Sequence, residues 1–472
     1  MTGLIEQVAG FAAAARADGV GAELRRDAAR RVLDAIGNSL AAVREPVAAA
    51  ARAVAREWGG TGPATVIGAA DPLPAAGAGF VNGVLAHALD FDDTHLPSVL
   101  HPSASVVPAA LAAAERYGAT GGQLLDAVTV GLELCVRLGM AGYDERLGNS
   151  IFFERGQHAT SICGAVGGSV AVAMLAGLPA AGIAAAAGIA ASMGSGLLEA
   201  NRTGGTVKRI HCGWAAHAAV SAAALASHGV TGPPTVLEGR FGFFQAWCGD
   251  GADPEYVVRR LGEHWLTPGI FFKPYPCNHF TQAGIDAALA LRQQGVDPLA
   301  VIRGELRVPA PVLRTIAEPR ALKVSPPTGY AAAFSGPYTV AAALLGGGGL
   351  GVGFEDFTDA AARDPRRRTL AERVECVAEP AFDRIYPHQF PAELRLWTAD
   401  GREWSARIEV NRGGPGRPLT DAEHAVKFAM TAGRVATADR VARIREAVAA
   451  LPDGGSVAEL MSLLRIETEE ER

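Results

Sequence analysis

Between Gly156 and Leu198 the chain carries no Asp, Glu, Lys or Arg. A charge-free run of that length has two homes, a bilayer or the interior of a helical body. Composition separates them. The residues are mostly Ala, Gly and Ser with few large apolar side chains, so hydrophobicity per residue is low for a membrane span. Gly177-Leu178-Pro179 also interrupts the run. The pattern predicts a buried helical hairpin. The 57 glycines and abundant alanines extend the same close-packing style beyond this stretch.

Helical periodicity continues on both sides. Residues 25–43 place Ala28, Val32, Leu33 and Ile36 on one face, residues 121–141 repeat the pattern, and residues 214–229 end on a C-terminal Gly. After Trp265 the texture changes. VIRGELRVP (301–309) and RVECVAE (373–379) bring in strand-like residues, and ELRLWTADGREWSARIEV (393–410) alternates on both sides of Ala399-Asp400-Gly401, a hairpin signal. NRGGPGRP (411–418) reads as a linker, and Thr420 with Glu423 forms a capping box that restarts helix. The expected fold is mainly α. A large all-helical domain begins at 1–268, a smaller α+β domain is inserted at 269–413, and helices in 414–472 complete the helical domain. The acidic end ETEEER is expected to fray.

A length of 472 residues fits two or three domains. The net charge of −6 excludes a global positive field for nucleic acid, so any anion site must be a local patch. The six cysteines are scattered without a CxxC pair, which argues against zinc ribbons and iron–sulfur clusters. The N-terminus reads as an amphipathic helix and not as a signal peptide, and a cytoplasmic location is expected.

Chemistry-bearing residues gather in five places. Residues 82–115 hold His87, Asp90, Asp92, Asp93, Thr94, His95 and His101, with a loop expected between Asp90 and Pro102. Carboxylates and imidazoles this dense shift one another's pKa and supply general acids and bases; the plainer reading is that some are helix caps. No HxxxH or HExxH spacing supports a metal, so none is assigned. His158 lies in RGQHATSICGAVGG, where a lone histidine is ordinarily structural. Lys208, Arg209, His211 and His217 make a basic spot in an acidic chain, which calls for an acidic partner or an anionic ligand. Lys273 and His279 flank a Pro-constrained loop at the expected domain junction, where clefts favour ligands. Tyr338 opens an apolar helix, where a core tyrosine is the plain alternative. The run GGGGLG (346–351) has no following Lys-Ser/Thr and is no phosphate cradle.

Together these blocks resemble the MmgE/PrpD family, which includes 2-methylcitrate dehydratase and cis-aconitate decarboxylase. The blocks are NGVLAHALDFDDTH, HPSASVVPA, Gly156-Gln157-His158-Ala159-Thr160, VKRIHCGWAAH, TGPPTVLEGRFGFF, KPYPCNHFTQAGIDA and FSGPYTVAAALL, and the resemblance spans nearly the whole chain. The resemblance implies a helical domain with an α+β lid, a homodimer, a site in the cleft between the domains, and catalysis without metal or organic cofactor. It carries family active-site roles onto Asp90, Thr94, His101, His158, Lys208, Lys273 and Tyr338. Gln157 stands where many members have an aromatic residue, and Asn278 or His279 takes the place of a lid histidine.

In that set, Lys208 and Lys273 would bind carboxylates with Arg209 and His279 beside them. A histidine, His101 or His158, would move the proton, Asp90 and Thr94 would orient groups, and Tyr338 could donate. The favoured expectation is a hydro-lyase on a small, 2-methylcitrate-like polycarboxylate. A decarboxylase or epimerase on a related acid is the alternative, and a non-catalytic ligand-binding protein on the same fold is a third reading. No membrane or nucleic-acid partner is expected.

Overall fold

The structure is a computed structural model that describes residues 3–466. ETEEER lies outside the described residues. The chain divides into a helical unit (Met1–Ala88, Asp92–Ile270 and Thr431–Arg472) and a second unit (Leu89–Phe91 and Phe271–Met430).

The helical unit opens with α1 (Leu4–Asp18), α2 (Ala22–Ala41), α3 (Pro46–Glu57), α4 (Ala75–His87), α5 (Ser103–Tyr117) and α6 (Gly121–Ala141). Strands β1 (Tyr143–Asp144) and β2 (Asn149–Ser150) form a small antiparallel pair ahead of α7 (Ile151–Glu154). Then come α8 (Ala159–Leu175), α9 (Ala180–Ala191), α10 (Ala200–Thr203) and α11 (His211–Ser227). The charge-free run is α8 and α9, packed on each other and on α11. Burial, and not a bilayer, explains its composition: Ala159 to Met174 are all buried. Among the described residues no helix is long and apolar enough to cross a membrane.

Small residues set the spacing of these helices. A Cβ on Gly213 of α11 would stand 2.4 Å from the Phe80 carbonyl of α4, and one on Gly83 would stand 2.7 Å from the Cys212 carbonyl. This glycine contact holds the C-terminal end of α4 beside the start of α11. Helix α6 also buries a charged pair. Arg137 Nε donates to Glu133 Oε1 at 2.7 Å, and its other donors reach the carbonyls of Val257, Arg259 and His264. Glu133 Oε2 accepts the backbone N–H groups of Leu266 and Thr267. A buried pair is tolerable when its remaining hydrogen-bond capacity is filled this way.

The second unit contains a four-stranded sheet. β3 (Val301–Val308) pairs in parallel with β4 (Val374–Ala378) and antiparallel with β5 (Ala392–Thr398), which pairs antiparallel with β6 (Glu403–Ile408). The hairpin β5–β6 turns where the alternation breaks. Gly401 has φ 82, and Asp400 Oδ1 accepts from Thr398 Oγ1 and from the backbone of Arg402. Helix Gln282–Gln293 packs on β5 and β6, and helix Gly336–Leu345 packs on helix Pro365–Arg373. The mainly α architecture with a smaller α+β part is therefore observed. The capping box is present as well: Thr420 N donates to Glu423 Oε2 at 2.7 Å, and Glu423 N donates to Thr420 Oγ1 at 3.2 Å.

Two boundaries differ from expectation. The return to the helical unit falls at Thr431 and not at 414. The stretch expected to be a linker is bound to the second unit: Phe272 N donates to the Gly413 carbonyl at 3.0 Å, Arg412 reaches Tyr275 and Glu423, and Arg417 pairs with Asp286 at 2.6 Å. Gly413, at φ 96, leaves no room for a Cβ, which would lie 2.0 Å from the Phe272 carbonyl. Its glycine serves close approach and not freedom. The second difference is Leu89–Phe91, which belongs with residues 271–430. Lys273 donates to the Asp90 carbonyl at 2.6 Å, Lys427 to the Phe91 carbonyl at 3.3 Å, and the Lys427 ammonium sits 4.0 Å over the Phe91 ring.

Candidate active site

Four histidines of the helical unit meet at helix ends. His87 closes α4, His101 lies just before α5, His158 is the N-cap of α8 and His211 is the first residue of α11. Ring centroids are 5.3 Å apart for His87–His101, 5.4 Å for His87–His158 and 5.1 Å for His158–His211. The N-termini of α5, α8 and α11 thus bring their positive dipole ends to one region, an arrangement suited to anions. Lys208 is buried in the helical turn Val207–Ile210 that leads into α11, and its charge acts on His158 and His211.

Each ring is oriented by a different partner. His87 Nδ1 donates to Asp92 Oδ2 at 2.7 Å, which leaves its Nε2 buried without a hydrogen bond. His101 Nδ1 donates to the Asp93 carbonyl at 2.7 Å, with Thr94 Oγ1 at 3.2 Å, and its backbone N–H donates to Thr160 Oγ1. The Asp93 carboxylate is itself fixed by Ser103, whose Oγ donates at 2.5 Å, and by Arg31 at 3.3 Å. His158 Nδ1 lies 3.0 Å from His211 Nδ1, and His158 Nε2 is buried without a partner.

The electrostatics favour the neutral forms of His158 and His211. Burial holds His158 well below the ordinary histidine range, and the charges of His87, Lys208, His211 and His101 press the same way. His211 falls to about 4, again from burial first and then from His87 and Lys208. Burial lifts Asp93 to about 6, opposed by the Arg31 charge and the Ser103 hydroxyl. The thiols of Cys163 and Cys212 are raised well above their ordinary value by burial, so they are poor nucleophiles.

Of the residues singled out in the sequence, Thr94, His101, His158 and Lys208 fall in this unit, the histidines within one contiguous cluster. Arg209 has an acidic partner, Glu45 Oε2 at 3.4 Å. In the second unit Lys273 is wholly buried, with its ammonium on the Asp90 carbonyl and 3.7 Å from Asp90 Oδ2; Asp90 itself has φ 52. His279 packs edge-on against Phe271 and Phe390, at 5.9 and 5.6 Å. Tyr338 is wholly buried among Ala332, Ala342 and Ala362, and its hydroxyl donates to the Asp356 carbonyl at 2.7 Å. Sequence reasoning had His87, Asp92 and His211 in view but gave none of them a role. The available signal was their place inside the same blocks, at the margins of helical periodicity.

Residues 6–256 match the MmgE/PrpD N-terminal domain, and residues 275–453 match the MmgE/PrpD C-terminal domain. The chain belongs to the MmgE/PrpD family. It is similar to the cis-aconitate decarboxylase-like protein oryM of Aspergillus oryzae, with 27% identity over 94% of this chain and 93% of that protein. Cis-aconitate decarboxylase of Aspergillus terreus is 28% identical over 98% of this chain and 96% of its own length. The Homo sapiens cis-aconitate decarboxylase is 28% identical, covering 92% and 89%.

Proposed function

We propose that this MmgE/PrpD protein is a metal- and cofactor-independent lyase that decarboxylates a small polycarboxylate resembling cis-aconitate. The observation that carries the reading is the pair of buried, unpartnered nitrogens, Nε2 of His87 and Nε2 of His158, in a region served by Lys208 and by three helix N-termini. A polar atom buried without a partner costs roughly 1–3 kcal/mol, so a cluster that keeps two of them is suited to a ligand that supplies the missing bonds. The dipole ends and the ammonium favour a multiply charged anion. As CO2 leaves, the electron pair of the broken C–C bond is delocalised towards a remaining carboxylate, where Lys208 stabilises it. A neutral imidazole N–H then delivers a proton to carbon.

The names of the similar proteins move the preference from dehydration, the expectation from sequence, to decarboxylation. The two reactions share the anion site and the proton-transfer group. They differ in the bond that breaks. Proton NMR in D2O, with cis-aconitate, citrate and 2-methylcitrate as probes, separates them. Loss of CO2 with one deuterium incorporated supports the proposal. Elimination of water from a hydroxy acid replaces it with the dehydratase reading, and exchange alone replaces it with an epimerase. Exhaustive chelation is expected to leave the rate intact; a rate lost on chelation and restored by one divalent ion would overturn the metal-free part.

A further inference from the structure

His158 and His211 meet nitrogen to nitrogen, Nδ1 to Nδ1 at 3.0 Å with the rings tilted by 49°. Two neutral imidazoles share such a contact in only two ways. In one, His158 carries the Nδ1 proton and presents a bare Nε2, a base. In the other, His211 carries that proton and His158 holds its own on Nε2, an acid. Each ring's tautomer therefore dictates the other's. Packing fixes the geometry independently of that bond. His158 N donates to the Gly196 carbonyl at 3.0 Å, and Ser161 Oγ donates to the His211 carbonyl at 3.1 Å. A Cβ on Gly196 would lie 3.0 Å from the His158 Cβ and 3.3 Å from the His211 Nδ1. His211 retains 8% of its surface and His158 only 3%, so His211 is the nearer of the two to solvent.

We propose that His211 is a positioning residue that sets the tautomer of His158 and relays protons between it and solvent. The inference rests on the reading of His158 as the proton-transfer group. As the Nε2–H bond of His158 breaks and a C–H bond forms on the carbanionic carbon of the substrate, the Nδ1 proton of His211 passes to Nδ1 of His158. Nε2 of His211 takes a proton from water, which is left as hydroxide. Both rings remain neutral, both have exchanged tautomers, and the net transfer is from water to carbon. Water that enters after product release protonates Nε2 of His158 and reverses the exchange. The relay resolves a physical difficulty. An imidazolium at His158 would be a desolvated charge near Lys208 and at a helix N-terminus, both of which disfavour it.

The test combines spectra and rates on the full chain, with histidine selectively labelled with nitrogen-15 and the His158 signals assigned by His158→Asn. His211→Phe keeps a ring without nitrogen, and His211→Asn keeps a hydrogen-bonding group that cannot pass a proton through. In the wild type the two imidazoles are expected to show complementary single tautomers at neutral pH. In His211→Phe the His158 nitrogen shifts should move towards a tautomer average. In His211→Asn they should stay fixed. Both variants should lower kcat on cis-aconitate by about 10- to 100-fold, less than the loss of a general acid or base itself, with KM changed less than about twofold. Added imidazole should restore part of the rate to His211→Gly. Unchanged His158 shifts in His211→Phe, or a wild-type kcat in both variants, would overturn the relay. If the wild type turns over none of the three acids, the proposed function fails, and the nitrogen spectra still decide whether His211 sets the tautomer.

Discussion

Two sets of buried polar side chains, one in each unit, are treated differently. In the second unit Lys273 is satisfied by the Asp90 carbonyl, Tyr338 by the Asp356 carbonyl, and Tyr275 by Asp286 at 2.5 Å with Arg412 donating to its hydroxyl. In the helical unit His87 and His158 each use one nitrogen and leave the other buried without a partner. Native interiors pair nearly all their buried polar atoms, so an orphan is a departure that asks for a cause. Satisfied burial holds chain segments in place, as Lys273 holds residues 89–91. Unsatisfied burial costs stability and creates an appetite for ligand. Residue type alone does not distinguish the two, since lysines and aromatic rings occur in both units.

The largest effect expected from this contrast is at His158. His158→Phe should lower turnover by about 10²- to 10⁴-fold, the span for a lost general acid or base. Its melting temperature should change little, because one unsatisfied nitrogen leaves the interior while His211 Nδ1 loses its partner. Retained activity would break the comparison at its centre. Next come the two lysines, where the expected losses are of different kinds. Lys208→Ala should weaken carboxylate binding by roughly 1.5–3 kcal/mol with little change in Tm, and Lys273→Ala should cost a similar roughly 1.5–3 kcal/mol of folding stability. Isothermal titration with cis-aconitate and chemical denaturation, run on both variants, read the crossover. A Lys273→Ala protein that is fully stable but does not bind would move Lys273 from scaffold to ligand site.

The helices, the β5–β6 hairpin and the Thr420 cap were legible because each is encoded by neighbours in sequence. Periodicity and turn chemistry act over a few residues, and the Ala- and Gly-rich composition of the charge-free run favours an interior over a bilayer. The histidine cluster is different. Its members lie at the ends of four helices, and nothing near His211 in sequence says that α11 begins beside the end of α4. That depends on Gly83 and Gly213 letting two backbones touch. Arg209 illustrates the same limit, since its partner Glu45 is remote in the chain. The stretch 411–418 has the Gly- and Pro-rich composition of a linker, while its glycines serve packing against Phe271 and Phe272. Asp90 sits amid helical-unit residues in sequence, yet two lysines of the second unit claim its segment.

Acid should expose the neutral histidines. The folded-state values of His158 and His211 lie below the ordinary 6.5, so the unfolded chain takes up protons first as pH falls. Their contribution to stability is complete above 6.5 and is lost between 6.5 and about 4 for His211. Asp93 acts in the opposite sense. Its folded value of about 6 exceeds the ordinary 3.8, so the folded chain gains a proton in that window and gains stability from it. Within the cluster two imidazoles oppose one carboxyl, and outside it His217 is likewise lowered and Glu115 raised; the balance predicts a net fall in Tm from pH 6.5 to 5, and a shallower fall in His211→Asn. A Tm that is flat or rising over that interval would show that the carboxyl dominates.

The smallest expected effect is at Tyr338. The sequence-based reading made it a proton donor. In the fold its hydroxyl donates to the Asp356 carbonyl at 2.7 Å and lies 3.3 Å from an Arg367 donor, while Arg367 also pairs with the Asp356 carboxylate at 2.6 Å. The backbone N–H of Tyr338 is held by Ser335, the cap of its helix, and the ring lies in an alanine-lined core beside Phe357. Removing the hydroxyl deletes its neutral hydrogen bond to the Asp356 carbonyl and a long contact from Arg367, and leaves that carbonyl with its Arg367 donor at 2.9 Å. Tyr338→Phe should therefore cost about 0.5–1.5 kcal/mol, the usual net worth of such a bond. Turnover should change far less than in His158→Phe. The arginine supplies the internal control, because Arg367→Met strips both contacts and should cost more than Tyr338→Phe. Denaturation midpoints and kcat, measured together on these variants, separate the roles. A Tyr338→Phe protein with unchanged stability and a kcat more than tenfold lower would return the hydroxyl to the chemistry, and satisfied burial in the second unit would no longer mark scaffold.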